Sequence, residues 1–184
     1  YPAIWVLYTA LRYNWTTKET GLSLALVGLT GAIVQGGLSR IIIPKIGERN
    51  AAVGGLLTMA ASMVGYGLSS EPWTVYPIIV LGSFGGLAVP AIQGMISITV
   101  CADEQGGIQG SLTSLQSVAG FIGPPLATGI FGYFISKHTP FILPGAAFFC
   151  SAFIVGLAAI IAAKSFKAVK INYRGLRADQ ENNS

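Results

Sequence analysis

The side chains with chemical capacity in this sequence are neutral amides and hydroxyls set in apolar surroundings. Gln35, Gln93, Gln109 and Gln116 stand in charge-free windows, with Ser97, Thr113 and Ser117 for company. A carboxamide donates and accepts hydrogen bonds. It can therefore hold and orient a polar group, but it does no acid–base work. In hydrocarbon an amide must find partners, so these residues face other helices or a water-filled cavity. Interhelical hydrogen bonding accounts for any one of them as well as ligand binding does. The cluster as a whole favours a cavity, because no charged partner is at hand to occupy the amides. Gln35, Gln93, Ser97, Thr113 and Gln116 are thus the candidate lining of a solute pathway.

Other chemistries lack their residues. There is one histidine, His138, at a helix boundary, and neither a Cys/His metal spacing, a nucleophile elbow nor a P-loop. Cys101 and Cys150 make no disulfide framework and read as structural, reduced thiols. No catalytic residue, metal or cofactor is expected, and no enzyme activity. The basic residues gather in loops and a tail, which argues against a nucleic-acid partner.

The elements that must position these residues are membrane helices. Of 184 residues, 52% are hydrophobic and only 10% charged, against about 25% charged in soluble domains. The mean hydropathy is +0.64. Charge-free windows run from Thr20 to Ser39, Asn50 to Ser70, Pro72 to Ala102, Gln105 to Ser136 and Thr139 to Ala163. Each is long enough to cross a hydrocarbon core, which takes about 20 residues. Tyr1–Leu11 adds a stub too short to cross. The fold class is an all-α membrane protein of five and a half helices. The chain opens in mid-span without an initiating Met, so a larger protein is expected.

Basic residues orient the spans. The loop with Arg40, Lys45 and Arg49 and the tail with Lys164, Lys167, Lys170, Arg174 and Arg177 share one side, eight basic residues against three opposite. The positive-inside rule makes that side, and the C-terminus, cytoplasmic. Trp5, Trp15 and Trp73 are expected at the outer boundary as an aromatic belt. Residues 1–163 form the transmembrane unit and 164–184 the basic tail. The tail reads as a stop signal with an irregular polar end. Its three- and four-residue spacing also suits an interfacial helix on anionic lipid.

Within the spans, helix-weakening residues recur where the amides are. "GSFGGLAVPAIQGMIS" holds Gly85 and Gly86 for close helix approach. Pro90 is expected to kink the helix and free carbonyls near Gln93. "GFIGPPLATG" repeats this with Pro124 and Pro125. A bent, closely packed helix with a polar group at the bend suits a moving pathway better than a lipid anchor. "PAIW" at Pro2 and "PAIQ" at Pro90 hint at an internal repeat of the kind secondary transporters use.

These same residues carry a family resemblance. "GSFGGLAVPAIQGMIS" and "QGGIQGSLTSLQSVAGFIGPPL" resemble the tenth and eleventh helices of the tetracycline efflux proteins, a branch of the major facilitator superfamily. "NWTTKETGLSLALVG" and "KIGERNA" resemble that branch's seven-to-eight connection and its cytoplasmic eight–nine loop. The resemblance implies the C-terminal six-helix bundle of a twelve-helix fold, its first helix truncated and its N-terminal half missing from this chain. It implies a bacterial inner-membrane antiporter with a drug-like small molecule and protons as partners, amid membrane lipid. A relative moving another solute, or a non-functional fragment of a truncated gene, are the alternatives. Lys45, Gly47 and Arg49 match the gating-loop pattern, while Arg40 and Pro44 stand where it has Gly and Asp. Met59 stands where the branch carries an Asp, which places the proton carrier in the missing half.

Overall fold

The computed structural model describes residues 2–99, 104–135 and 145–182, with side chains for 5–96, 104–130, 132–133 and 145–166; every regular element among them is helical. In chain order these are α1 (Pro2–Tyr13), α2 (Thr17–Ala32), a π-turn (Ile33–Leu38), α3 (Ser39–Ile46) and α4 (Glu48–Leu68). A 3-10 turn (Pro72–Thr74), α5 (Val75–Ser83), a second 3-10 turn (Phe84–Leu87), α6 (Ala88–Thr99), α7 (Gln105–Ile135) and α8 (Ala146–Asn182) follow. Among the described residues, four helical rods are long and apolar enough to cross a membrane: Thr17–Ile46, Glu48–Leu68, Pro72–Ile96 and Ala146–Phe166.

The window Gln105–Ser136 forms α7, a helix of 31 residues. Its first half carries Gln105, Gln109, Ser111, Thr113, Ser114, Gln116 and Ser117, and its second half is largely apolar. Where an irregular end was expected, α8 continues through the basic run to Asn182.

Local chemistry sets the boundaries. α1 stops at Asn14, whose φ of 52° is a left-handed value that Asn tolerates. Thr16 then caps α2: its backbone N–H and its hydroxyl both donate to Glu19 Oε2, at 2.7 and 2.9 Å. Gly47 alone joins α3 to α4. Its N–H donates to the Ile43 carbonyl and its carbonyl accepts from Ala51 N–H, both at 2.9 Å. With a φ of 83° it adopts a conformation that costs other residues.

α4 is the hub, packing along α8, α5 and α6. Small residues let backbones meet there. A Cβ built on Gly55 would lie 2.8 Å from the Ala88 nitrogen, and one on Gly85 would lie 2.9 Å from Met59 Cβ. The main core is aromatic. Trp5 meets Tyr66 edge-on at 5.0 Å, and Tyr8 meets Phe148 at 4.7 Å. Their polar ends are satisfied: Trp5 Nε1–H donates to Ser23 Oγ at 2.9 Å and the Tyr8 hydroxyl to the Tyr66 carbonyl at 2.5 Å.

This core corrects the aromatic belt. Trp73 is 80% exposed, but Trp5 and Trp15 are only 2% and 8% exposed and pack inside the bundle. Ser23 and Tyr66 give the Trp5 ring a polar partner and an edge-on neighbour there, so it gains nothing from the interface.

Candidate solute pathway

The five candidate lining residues fall on three rods. Gln35 lies in the π-turn, Gln93 and Ser97 in α6, and Thr113 and Gln116 in α7. The Ser97 side chain lies outside the described residues. Gln35, Gln93, Thr113 and Gln116 are all exposed on the bundle.

Gln35 has the most defined seat. Its carboxamide lies over Gly86, so close that a Cβ there would be 2.7 Å from Nε2. Gly86, Pro90, Gln93 and Ser97 are spaced by four, three and four residues, which sets them along one side of their rod. Gln35 therefore abuts the stripe that carries Gln93. The paired glycines serve two neighbours: Gly85 admits Met59 of α4, and Gly86 admits Gln35.

Gln35 also lines a cavity of about 330 Å³ between α2, α4 and α5, with Met59, Ser62, Tyr66 and Ser83. The Thr30 and Ser83 hydroxyls join across its wall at 2.6 Å. Ser62 is buried and donates to the Met59 carbonyl at 2.8 Å. Met59 itself, at the position where the resemblance has Asp, presents only a thioether. Sequence reasoning missed Thr30, Ser62, Tyr66 and Ser83. Hydroxyls in apolar runs were visible, but their pairing across α2 and α5 is tertiary.

α7 stands apart, resting mainly on α1 and α8. Its hydroxyls turn inward on their own helix. Thr113 donates to the Gln109 carbonyl and Ser117 to the Thr113 carbonyl, both at 2.9 Å. Gln116 thus sits on a surface whose neighbouring hydroxyls are already engaged. Gln109, Thr113, Gln116, Gly120 and Gly123 recur every three or four residues, a stripe that runs from amides to glycines. At the glycine end it borders a cavity of about 370 Å³ against Phe148 and Ser151 of α8.

The three prolines behave differently. Pro90 is the third residue of α6, directly after the 3-10 turn. Its ring crowds the carbonyl four residues back, at Gly86, which explains why the rod cannot close a regular α-turn there. Pro124 and Pro125 lie within α7, which continues through them. The Thr128 hydroxyl donates to both their carbonyls, at 2.9 and 3.1 Å.

In the loop, Lys45 is exposed and Arg49 half-buried on either side of Gly47. Between them Glu48 reaches across to α6: a Cβ on Gly94 would lie 2.7 Å from its Oε1. The short α3–α4 link is thereby tied to the rod that carries Gln93. Among the described residues, no group of three or more His, Cys, Asp or Glu could hold a metal.

Helical rods of membrane-spanning length, close glycine crossings and amides along their exposed sides define a polytopic membrane protein of the transporter type. The chain belongs to the Major Facilitator Superfamily, whose profile matches residues 1–176. It is 34% identical over 155 residues to the tetracycline resistance protein, class B, of Escherichia coli, covering 84% of this chain and 39% of that protein. It is 37% identical to the class G protein of Vibrio anguillarum, over 66% of this chain and 31% of the relative. The human Hippocampus abundant transcript 1 protein is 27% identical over 70% of this chain and 26% of its own length. The chain spans about a third of the length of the curated relatives it matches. No solved structure matches it.

Proposed function

We propose that this chain supplies the C-terminal bundle of a secondary transporter that exports a tetracycline-like molecule in exchange for protons. The observation that carries this reading is the similarity to tetracycline resistance proteins over most of the chain. The seating of Gln35 over Gly86 supports it, because it brings an amide onto the side of the rod that also carries Gln93. Gln35, Gln93, Ser97, Thr113 and Gln116 bind polar groups of the solute. Lys45, Gly47 and Arg49 form the cytoplasmic gating loop, the C-terminus is cytoplasmic, and a partnering N-terminal bundle closes the other wall of the pathway. With Met59 in place of a carboxylate, that partner bundle carries the proton.

Drug export is tested with Gln93→Leu in the full-length protein. Export should fall to background while expression and membrane insertion stay at wild-type levels. Unchanged export would remove Gln93 from the pathway and leave it a packing residue. Failure of the wild-type protein to lower cellular tetracycline would overturn the tetracycline reading.

A further inference from the structure

Two irregular turns lie side by side in the bundle. The π-turn Ile33–Leu38 interrupts one rod, the 3-10 turn Phe84–Leu87 interrupts its neighbour, and the two pack against each other. A π-turn closes its hydrogen bonds one residue wider than an α-helix and a 3-10 turn one residue tighter. Mid-helix 3-10 stretches mark hinges or strain, and π-bulges recur at functional sites. The 3-10 turn has a local cause in Pro90. The π-turn has none of that kind: it contains Gly36 and Gly37, and no proline falls within it.

The contact between the turns is specific. Gln35 belongs to the π-turn and Gly86 to the 3-10 turn, and a Cβ at Gly86 would lie 2.7 Å from the Gln35 Nε2, so a larger residue there would displace that amide. The π-turn is held at both ends by buried Val34 and Ser39, and the Ser39 N–H donates five residues back to the Val34 carbonyl. The Ser39 hydroxyl occupies the Gln35 carbonyl. Between these anchors, Gly36 and Gly37 have nothing within 4 Å of a Cβ position, so the turn has space to change shape. Beyond it, α3 leads directly to Gly47 and so into α4.

We propose that the paired turns are a hinge, with Gly86 as its seat and the Gln35 carboxamide as its contact. When the π-turn tightens to α geometry, α3 and the Gly47 link rotate relative to α2. The 3-10 turn yields in step because Gln35 presses on it. This ties the amide that would sense solute to the loop that would gate it. The purpose of the hinge rests on the transport reading above, but its existence does not, and the test separates them.

The test is hydrogen exchange on the full-length protein in lipid nanodiscs, read alongside export. In the wild type, the amides of 36–39 and 85–87 should exchange at least about tenfold faster than those one turn away in α2 and α5. Gly86→Val, on one turn, should change exchange at the other turn, 36–39, by a similar factor while α8 is unaffected. Deleting Gly36, which restores α register, should slow exchange at 36–39 and abolish export with insertion intact. If Gly86→Val does not insert, Gly86→Ala carries the same reading, since its methyl also meets the Gln35 amide. Equal protection of both turns and their flanking helices would overturn the hinge, as would unchanged exchange at 36–39 in the Gly86 variants. Wild-type exchange as expected with no drug export would sink the transport reading and leave the hinge standing.

Discussion

Gly54 and Gly55 are adjacent in α4, yet adding one methyl to each should move stability in opposite directions. A Cβ on Gly55 would meet the Ala88 nitrogen at 2.8 Å, its Cβ at 3.1 Å and its Cα at 3.2 Å. Two of these are backbone atoms that cannot swing aside. Ordinary contact begins near 3.4 Å, so α4 and α6 would have to part by about half an ångström. Overpacking of this kind costs about 1–3 kcal/mol. Replacing a mid-helix glycine by alanine returns about 0.5–1 kcal/mol. Gly55→Ala should therefore destabilise by roughly 0.5–2 kcal/mol. Gly54 has nothing within 4 Å of its Cβ position, so Gly54→Ala keeps the helix gain and meets no clash. The two variants should differ by about 2 kcal/mol, on the order of 4–8 °C in Tm for a unit of this size. Thermal unfolding of the full-length protein in detergent, followed by size-exclusion chromatography, measures this directly. Gly55→Ala should also weaken export, because the same crossing positions Pro90 and Gln93. Equal melting temperatures for the two variants would refute the claim that α4 and α6 touch at the backbone.

Gly47→Ala forces a methyl-bearing residue to a φ of 83°. It should cost about 1–3 kcal/mol, seen as a lowered Tm, and loosen the α3–α4 link to proteolysis in inside-out vesicles. A cysteine at Asn50, with Cys101 and Cys150 replaced, should react with an impermeant thiol reagent only after permeabilisation, and one at Thr74 from outside. The reverse pattern would invert the proposed orientation. Asp103→Asn and Glu104→Gln should leave proton-driven exchange in inverted vesicles standing if the partner bundle carries the proton, as proposed. Loss of gradient-dependent uptake with binding retained would put the carrier in this bundle.

The membrane character and most span positions were legible because charge is costly in hydrocarbon. The window Asn50–Ser70 differs from α4 by two residues at either end. The window Thr20–Ser39 fell short, because the helix runs on past Arg40 and Lys45 to Ile46. Charge marks where hydrocarbon ends, and hydrogen bonds mark where the helix does. The break before Pro90 was foreseeable from the ring's clash with the preceding turn. The π-turn was not, since Gly-Gly in a span more often marks close packing, and here both glycines face open space. For the pathway residues, sequence named the amides but not their neighbours. That Gln35 meets Gly86 depends on how α2 and α5 cross, and nothing local to either segment encodes it.

The burial of Trp5 gives the protein an internal light source. An indole held among Tyr66 and Phe148, with its N–H bonded to Ser23, emits toward the blue, whereas Trp73, 80% exposed, emits toward the red. Trp15, packed between Tyr13 and Tyr76, is shielded from aqueous quenchers. Iodide should therefore dim the red component first and leave a blue-shifted remainder. Because the Trp5 N–H bond spans α1 and α2, any separation of those helices wets the indole. The emission maximum thus reports, without any attached label, whether the first two helices of the bundle remain together.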